Sequence, residues 1–481
     1  MKLALGGPTY TLPDIDVNNQ QCLNLFPASG GPGGSEGAKE GGQVLYPRSG
    51  YSLVVNASGA EVRGMINVDD TIYAVVDSTV YKLTITDSVM TATVTSVGTL
   101  ASTSGPVSMA RNPTQIMIVD GSSAGYITTI ATGTTAAISD EHFTGGVHVR
   151  FLDSYFIYNT PSASTIFSTG INDGSSIDAL DVTTVEGDPD KTVGLAVDKR
   201  ELWVFGDRSV QIYWNEANAV GFPLSVREGA YINKGCAAKG SILNFDNTLM
   251  WLDHQRFVMK ANGYTPQIVS NEAVHAAIQS YSIVSDAVAW QYTERGHLFY
   301  VLSFPTVQKT WVFDAVTEQW HERSYYNPTT QLHEQDLGAN AVQYKGKFLV
   351  GARNSGKIFL VNSETYSDSG DAIHRVRRTS HQRQEFAQIG VDSLRVLAKT
   401  GQGLTSGTGL SPQLMMRYSK DMGYTWSAET VRSLGATGNY SQEIRWNRLG
   451  YGKRWLFEFR VSDPIDFALI DASVEVSGGL S

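Results

Sequence analysis

One short pattern returns along most of this chain at the spacing of a four-stranded propeller blade. Each time, a strand of alternating apolar residues meets a small polar turn and then a second such strand. The run begins with INVDDTIYAVVDSTVYKL (66–83), ARNPTQIMIVDGSSAGYI (110–127) and VRFLDSYFIYNTPSASTIF (149–167). It continues with AVDKRELWVFGDRSVQIYW (196–214), LNFDNTLMWLDHQRFVMK (243–260), QYTERGHLFYVLSFPTVQKTWVFD (291–314) and VQYKGKFLVGARNSGKIFLV (342–361). The apolar centres Ile72, Ile116, Tyr155, Trp203, Met250, Phe299 and Phe348 stand about 44, 39, 48, 47, 49 and 49 residues apart. A lone hairpin cannot bury its apolar face in water, whereas a ring of such units buries every face against a neighbour. The expected fold is therefore all-β, with a β-propeller over residues 51–365. At about 45 residues per unit the ring has seven blades, or six if one hairpin lies outside it.

The two ends of the chain depart from this rhythm. Residues 1–50 read as an irregular arm with one apolar knot, CLNLFP (22–27), and a Gly-rich loop, SGGPGGSEGAKEGG (29–42). Such a segment is either a floppy surface loop or an arm that orders on a neighbouring subunit. Residues 366–481 carry the alternating strands DSLRVLAKT (392–400), PQLMMRYS (412–419), QEIRWNRLG (442–450), RWLFEFRVS (454–462) and FALIDASVEV (467–476). They predict a C-terminal β-sandwich. One helix is expected at NEAVHAAIQSYS (271–282), capped by Asn271, with Glu272 in its first turn and Val274, Ile278 and Tyr281 on one face.

Charge and cysteine content exclude several classes of function. The net charge is −10, and residues 365–481 hold 14 basic against 12 acidic side chains, so the acidic excess lies in the remainder. A chain of this balance does not hold nucleic acid by neutralising phosphates, but a negative wall around DNA repels it and leaves it mobile. Cys22 and Cys236 are more suited to reduced, part-buried positions than to a disulfide framework. The start MKLALGGPTY lacks the apolar run of a signal peptide, and no stretch approaches a membrane span, so no membrane insertion is expected.

No motif in the chain points to catalysis, a cofactor or a metal. Gly121-Ser-Ser-Ala-Gly125 matches a nucleophile elbow in letters, but a β-branched run follows where that chemistry needs a helix. Asp14-Ile-Asp16-Val-Asn18 opens like a calcium loop, yet Asn19 and Leu25 occupy the positions that require Gly and Glu. His142 and His148 have neither the spacing nor the neighbouring cysteines of a zinc site. Glu186, Asp188 and Asp190 suit turn formation better than a glycosidase pair. Trp203, Trp214, Trp251, Trp290, Trp311, Trp320, Tyr325 and Tyr326 either line a sugar groove or fill the spaces between blades.

Two clusters are more specific. SKDMGYTW (419–426) fits the Asp-box turn S-x-D-x-G-x-T-W known from sialidases and other propellers. In it Ser419, Asp421, Gly423, Thr425 and Trp426 form a structural turn. Asp421 accepts from the backbone, Gly423 supplies a positive φ and Trp426 packs beneath. A sialidase repeats this box in several blades, and here it occurs once, outside the repeats. The other cluster is basic and holds Arg375, Arg377, Arg378 and Arg383. It reads as a solvated strand or as an ion-paired seam with an acidic surface, such as the propeller of an adjacent subunit.

Three stretches carry a resemblance to one family: LWVFGDRSVQIYWNEANAVGFPLSVREGAYINKGCAAKGSI (202–242), WLDHQRFVMKANGYTPQIVSNEAVHAAI (251–278) and GHLFYVLSFPTVQKTWVFDAVTEQWHER (296–323). With the early NLFP and the terminal SKDMGYTW and RWLFEFRVSDP, they resemble the tail nozzle, or hub, proteins of short-tailed phages, also called packaged DNA stabilisation proteins. The resemblance implies a non-enzymatic virion protein of the tail, assembled in the host cytoplasm as a homo-hexameric ring below the head-to-tail adaptor. Such a ring extends the DNA channel, helps retain packaged DNA before DNA ejection, and docks tail fibres or spikes and a plug or needle. DNA passes through its lumen without sequence-specific binding. A sialidase-like, glycan-binding or glycan-active propeller is the alternative, and a cellular interaction propeller is a third reading.

Overall fold

The computed structural model describes all residues except 1, 30–42, 186, 188–189, 219, 384–387 and 479–481. Seven four-stranded antiparallel sheets follow one another around a ring: blades 1 to 7 span 62–99, 108–137, 149–184, 192–226, 243–268, 288–323 and 338–362. Blades 1 to 6 each use four consecutive strands. Blade 7 draws only three from its own stretch, and its fourth, outer strand is Gly50–Asn56 from the far end of the chain. The ring is thereby latched between two segments about 300 residues apart, so that neither end of the propeller is an open edge. Seven blades, not six, are present.

Why the repeats form blades is visible in their burial. Strands such as Gln115–Val119, Glu201–Gly206 and Thr248–Leu252 are buried on both faces, as blades require when each sheet is covered on two sides. Seven apolar clusters fill the seven seams. Trp203 and Phe205 of blade 4 pack with Trp251 of blade 5. Tyr344 and Leu349 of blade 7 meet Ile72 and Leu83 of blade 1, which closes the circle. The expected helix is present as Glu272–Ser280. The Asn271 side chain accepts from the Val274 N–H at 3.0 Å, while Val274 and Ile278 drop into the seam between blades 5 and 6.

The chain ends depart from the reading of an irregular arm. Asn19–Leu23 and Leu25–Ser29 are strands, as is Gln43–Pro47, and all three belong to the two sheets of a β-sandwich with its own core around Leu394, Trp446 and Phe457. One sheet also takes in Ile389–Ala398, Ile444–Gly452 and Leu469–Gly478. The other runs from Asn19–Leu23 through Arg375–Arg378, Leu456–Val461 and Gln413–Ser419 to Thr430–Ser433. Both ends of the chain thus build the sandwich. The second sheet is also continuous with blade 6: Leu23 pairs in parallel with Glu322, giving ten strands in all. Asn19–Leu23 finds its sheet partners about 300 and 355 residues away, and Leu25–Ser29 reaches Gln43–Pro47 only across the Gly-rich stretch, so residues 19–29 read as loop when taken alone. The Gly-rich loop at 30–42 lies outside the described residues.

Candidate functional site

The extended backbone of Arg375–Arg378 sends Arg375 and Arg377 to one face and Val376 and Arg378 to the other. Arg375 and Arg377 are buried within the chain. Arg375 donates to the carbonyls of Asp463 (2.8 Å) and Tyr366 (2.7 Å). Arg377 sits in a cage of carbonyls from the N-terminal segment, with Gly6 at 2.8 Å and Pro8 at 3.2 Å. Burial pulls both guanidinium groups below their ordinary value, Arg375 to about 9. That placement takes them out of any seam between subunits. They are internal ties that fasten the first residues of the chain to the sandwich. Arg383, by contrast, is exposed.

Arg378 faces the other way and meets the Asp-box. Its Nε and Nη2 donate to Glu458 at 2.9 and 2.8 Å, and Arg417 donates to the other oxygen of that carboxylate at 2.6 Å. Both guanidinium groups lie against the Trp426 ring, at 5.2 Å for Arg378 and 4.6 Å for Arg417. The turn itself is closed as its residues suggest. Ser419 Oγ donates to Asp421 at 2.7 Å and accepts from the Gly423 N–H at 2.8 Å, while Asp421 accepts from the Thr425 N–H at 2.9 Å and from its hydroxyl at 2.5 Å. Gly423 has φ +108°. Hydrogen bonds from Ser419 and Thr425 hold the Asp421 carboxyl down at about 2. The box is a hairpin clamp on the sandwich.

Where the sandwich meets the propeller, the contacts are ionic and sealed. Arg48 and Asp368 form a bidentate pair (2.9 and 2.6 Å) with both side chains almost fully buried. Arg48 also donates to Asn24 Oδ1 at 2.9 Å, and Asn24 in turn donates to the His374 carbonyl at 2.8 Å. Next to it, Arg323 pairs with Asp336 at 2.6 Å, and Tyr51 donates to the same carboxylate at 2.6 Å. Arg323 holds Asp336 below its ordinary range against the opposing effect of burial. Four chain segments meet here: the N-terminal strands, the latch strand of blade 7, the end of blade 6 and the linker into the sandwich. Sequence reading missed this cluster, because single charges separated by up to 320 residues look like solvated surface.

The remaining motifs resolve as structure. Gly121, at φ +84°, and Ser122, whose hydroxyl donates to Asp120 at 2.6 Å, make a hairpin turn into strand Gly125–Thr129. Asp190 accepts from the backbone of Arg208 (2.8 Å) and Ser209 (3.1 Å), whereas Glu186 and Asp188 lie outside the described residues. Trp203, Trp251, Trp290, Trp311 and Trp320 are buried in the seams, while Trp214, Tyr325 and Tyr326 are half-buried. Cys22 and Cys236 are free and buried, and burial pushes each thiol up to about 12.

Two family models match the chain. One, described as the β-propeller of bacteriophage P22 Gp10, covers residues 13–366, and the other, described as the β-sandwich of the same protein, covers 374–477. No curated protein matches the sequence significantly. Among solved structures, the WD40 β-propeller domain of Doa1 is similar at TM-score 0.43 and 10% identity, over 66% of this chain and 97% of that one. A computationally designed protein, Ika8, is similar at TM-score 0.40 and 13% identity, over 74% and 99%.

Proposed function

Because this chain belongs to the bacteriophage P22 Gp10 family, we propose that it forms the nozzle of a short-tailed phage tail. Membership makes it a structural protein of the tail and a component of the virion. In the proposed arrangement six copies close into a ring below the head-to-tail adaptor and extend the DNA channel. The ring helps retain the packaged genome and offers docking surfaces for fibres or spikes and for a plug or needle. The observation that carries this reading is the ten-stranded sheet shared by propeller and sandwich, sealed by buried ion pairs. A part that withstands the pressure of packaged DNA needs two such bodies to move as one. The acidic excess supports it further, since a negative lumen lets a polyanion slide.

The test is co-expression with the adaptor from the same genome, followed by native mass measurement and negative-stain microscopy. Rings of six copies on the adaptor are expected, with negligible affinity for free duplex DNA at physiological salt. A strict monomer, both alone and with the adaptor, would overturn the proposal.

A further inference from the structure

The first strands of six blades leave between them an axial channel of about 490 Å³. Four cationic side chains line it, Arg63, Arg150, Lys239 and Arg353, against the two carboxylates of Glu61 and Asp286. In a chain of net charge −10 this local excess of positive charge is an inversion of sign. Among the described residues none of the four cations has a carboxylate within the 4.0 Å of an ion pair. The two carboxylates are engaged by neutral donors: Glu61 accepts from the Gly105 N–H at 2.7 Å, and Asp286 from the Thr306 N–H at 2.7 Å and its hydroxyl at 2.6 Å.

The cations differ in how far the protein satisfies them. Arg63 is occupied by the carbonyls of Asp77 (2.8 Å), Ser102 (2.9 Å) and Gly105 (2.5 Å). Arg150 has two neutral acceptors, Ser108 Oγ at 3.1 Å and the Val149 carbonyl at 2.8 Å. Burial alone draws its guanidinium down to about 10. Arg353 Nε is buried with no acceptor. Burial also lowers Lys239, against the opposing pull of the nearby Asp120 carboxylate. His148, beside them, is held well below the imidazole range by burial and by the positive charges of Arg150 and Lys239. Cations partly withdrawn from water with no carboxylate at ion-pair distance are costly, and an anion between them lowers that cost.

We propose that the axial channel is a binding site for a small multivalent oxyanion of the phosphate class, held chiefly by Arg150 and Lys239. A guanidinium and an ammonium group lining one cavity suit such an anion, and the channel is far too small for a DNA duplex. The test uses the full chain, titrated with inorganic phosphate by calorimetry and by thermal melting, with sodium chloride at matched ionic strength as control. Phosphate should bind saturably and raise Tm where chloride does not. R150M and K239M should each weaken phosphate binding at least tenfold. In phosphate-free buffer R150M should melt above the unsubstituted chain, because an uncompensated charge has gone. A 5′-phosphorylated oligonucleotide that binds more tightly than phosphate would identify a nucleic-acid end as the source, and weaker binding would identify the free ion. Equal Tm shifts in chloride and phosphate, a flat isotherm to 10 mM (about ten-thousandfold weaker than a micromolar site), or unchanged affinity in both variants would each overturn it.

Discussion

The seams between blades and the junction between propeller and sandwich solve the same problem with opposite chemistry. Each seam is filled by interchangeable apolar side chains, such as Trp203 against Trp251 or Leu349 against Ile72. The junction instead buries Arg48, Asp368, Arg323 and Asp336 in one hydrogen-bonded cluster. Apolar packing tolerates small slips, because one aliphatic contact is much like another. Buried ion pairs accept a single geometry, since any displacement leaves a charge unpaired in a medium of low polarity. The difference teaches that repetition holds the wheel together, whereas directional pairing sets how the second body sits on it.

The hardest blow to that contrast is the removal of one junction partner. Arg48→Met should destabilise the chain by about 3–5 kcal/mol, because Asp368 is then left buried and alone. Arg48→Met with Asp368→Leu should recover much of the loss, and urea unfolding of the four-member cycle measures the coupling. A seam responds differently. Leu349→Ala should cost about 2–4 kcal/mol through the cavity it leaves, with no rescue from a second substitution across the seam. If both cycles gave the same coupling, the distinction between the two regions would fail.

Acidification sharpens the comparison from the propeller side. His321 is held at about 3 by burial, and His148 well below 6.5. The unfolded chain therefore takes up protons near 6.5 that the folded chain refuses, and stability falls as pH drops below that point. Each such histidine contributes a slope approaching about 1.4 kcal/mol per pH unit. Urea midpoints at pH 7 and pH 5 should show the fall, and His321→Gln should flatten it. The smallest effect belongs to the sandwich surface. Asp421 is held low, so its contribution is complete above its ordinary value of 3.8 and is lost as pH falls toward about 2. Asp421→Asn should cost about 1 kcal/mol at neutral pH and remove that acid limb, as read from melts between pH 5 and pH 2.

What could be read from the residues was whatever repeats or closes locally. The blade hairpins, the helix capped by Asn271 and the Asp-box turn all use partners within a few tens of residues, and each leaves a period or a motif. Leu25–Ser29 pairs with Gln43–Pro47 only across the Gly-rich stretch, and strand Asn19–Leu23, which pairs with Arg375–Arg378, leaves neither. The same distance hid the junction, where Arg48 and Asp368 are 320 residues apart. The basic strand was visible, but its direction was not. Alternation separates Arg375 and Arg377 from Arg378, yet only the carbonyl cage around Arg377 reveals which face is interior.

The blade 7 latch and the shared sandwich impose an order on synthesis. Strand Gly50–Asn56 is made about 300 residues before Lys357–Asn362 and must wait for it before it can pair. The sheet holding Gln43–Pro47 waits longer still, for Leu469–Gly478. The propeller therefore cannot close before Asn362 has been made, nor the sandwich before Leu469–Gly478. Copies terminated before Lys357 lack the mate for the latch strand, and with it the closure of the ring.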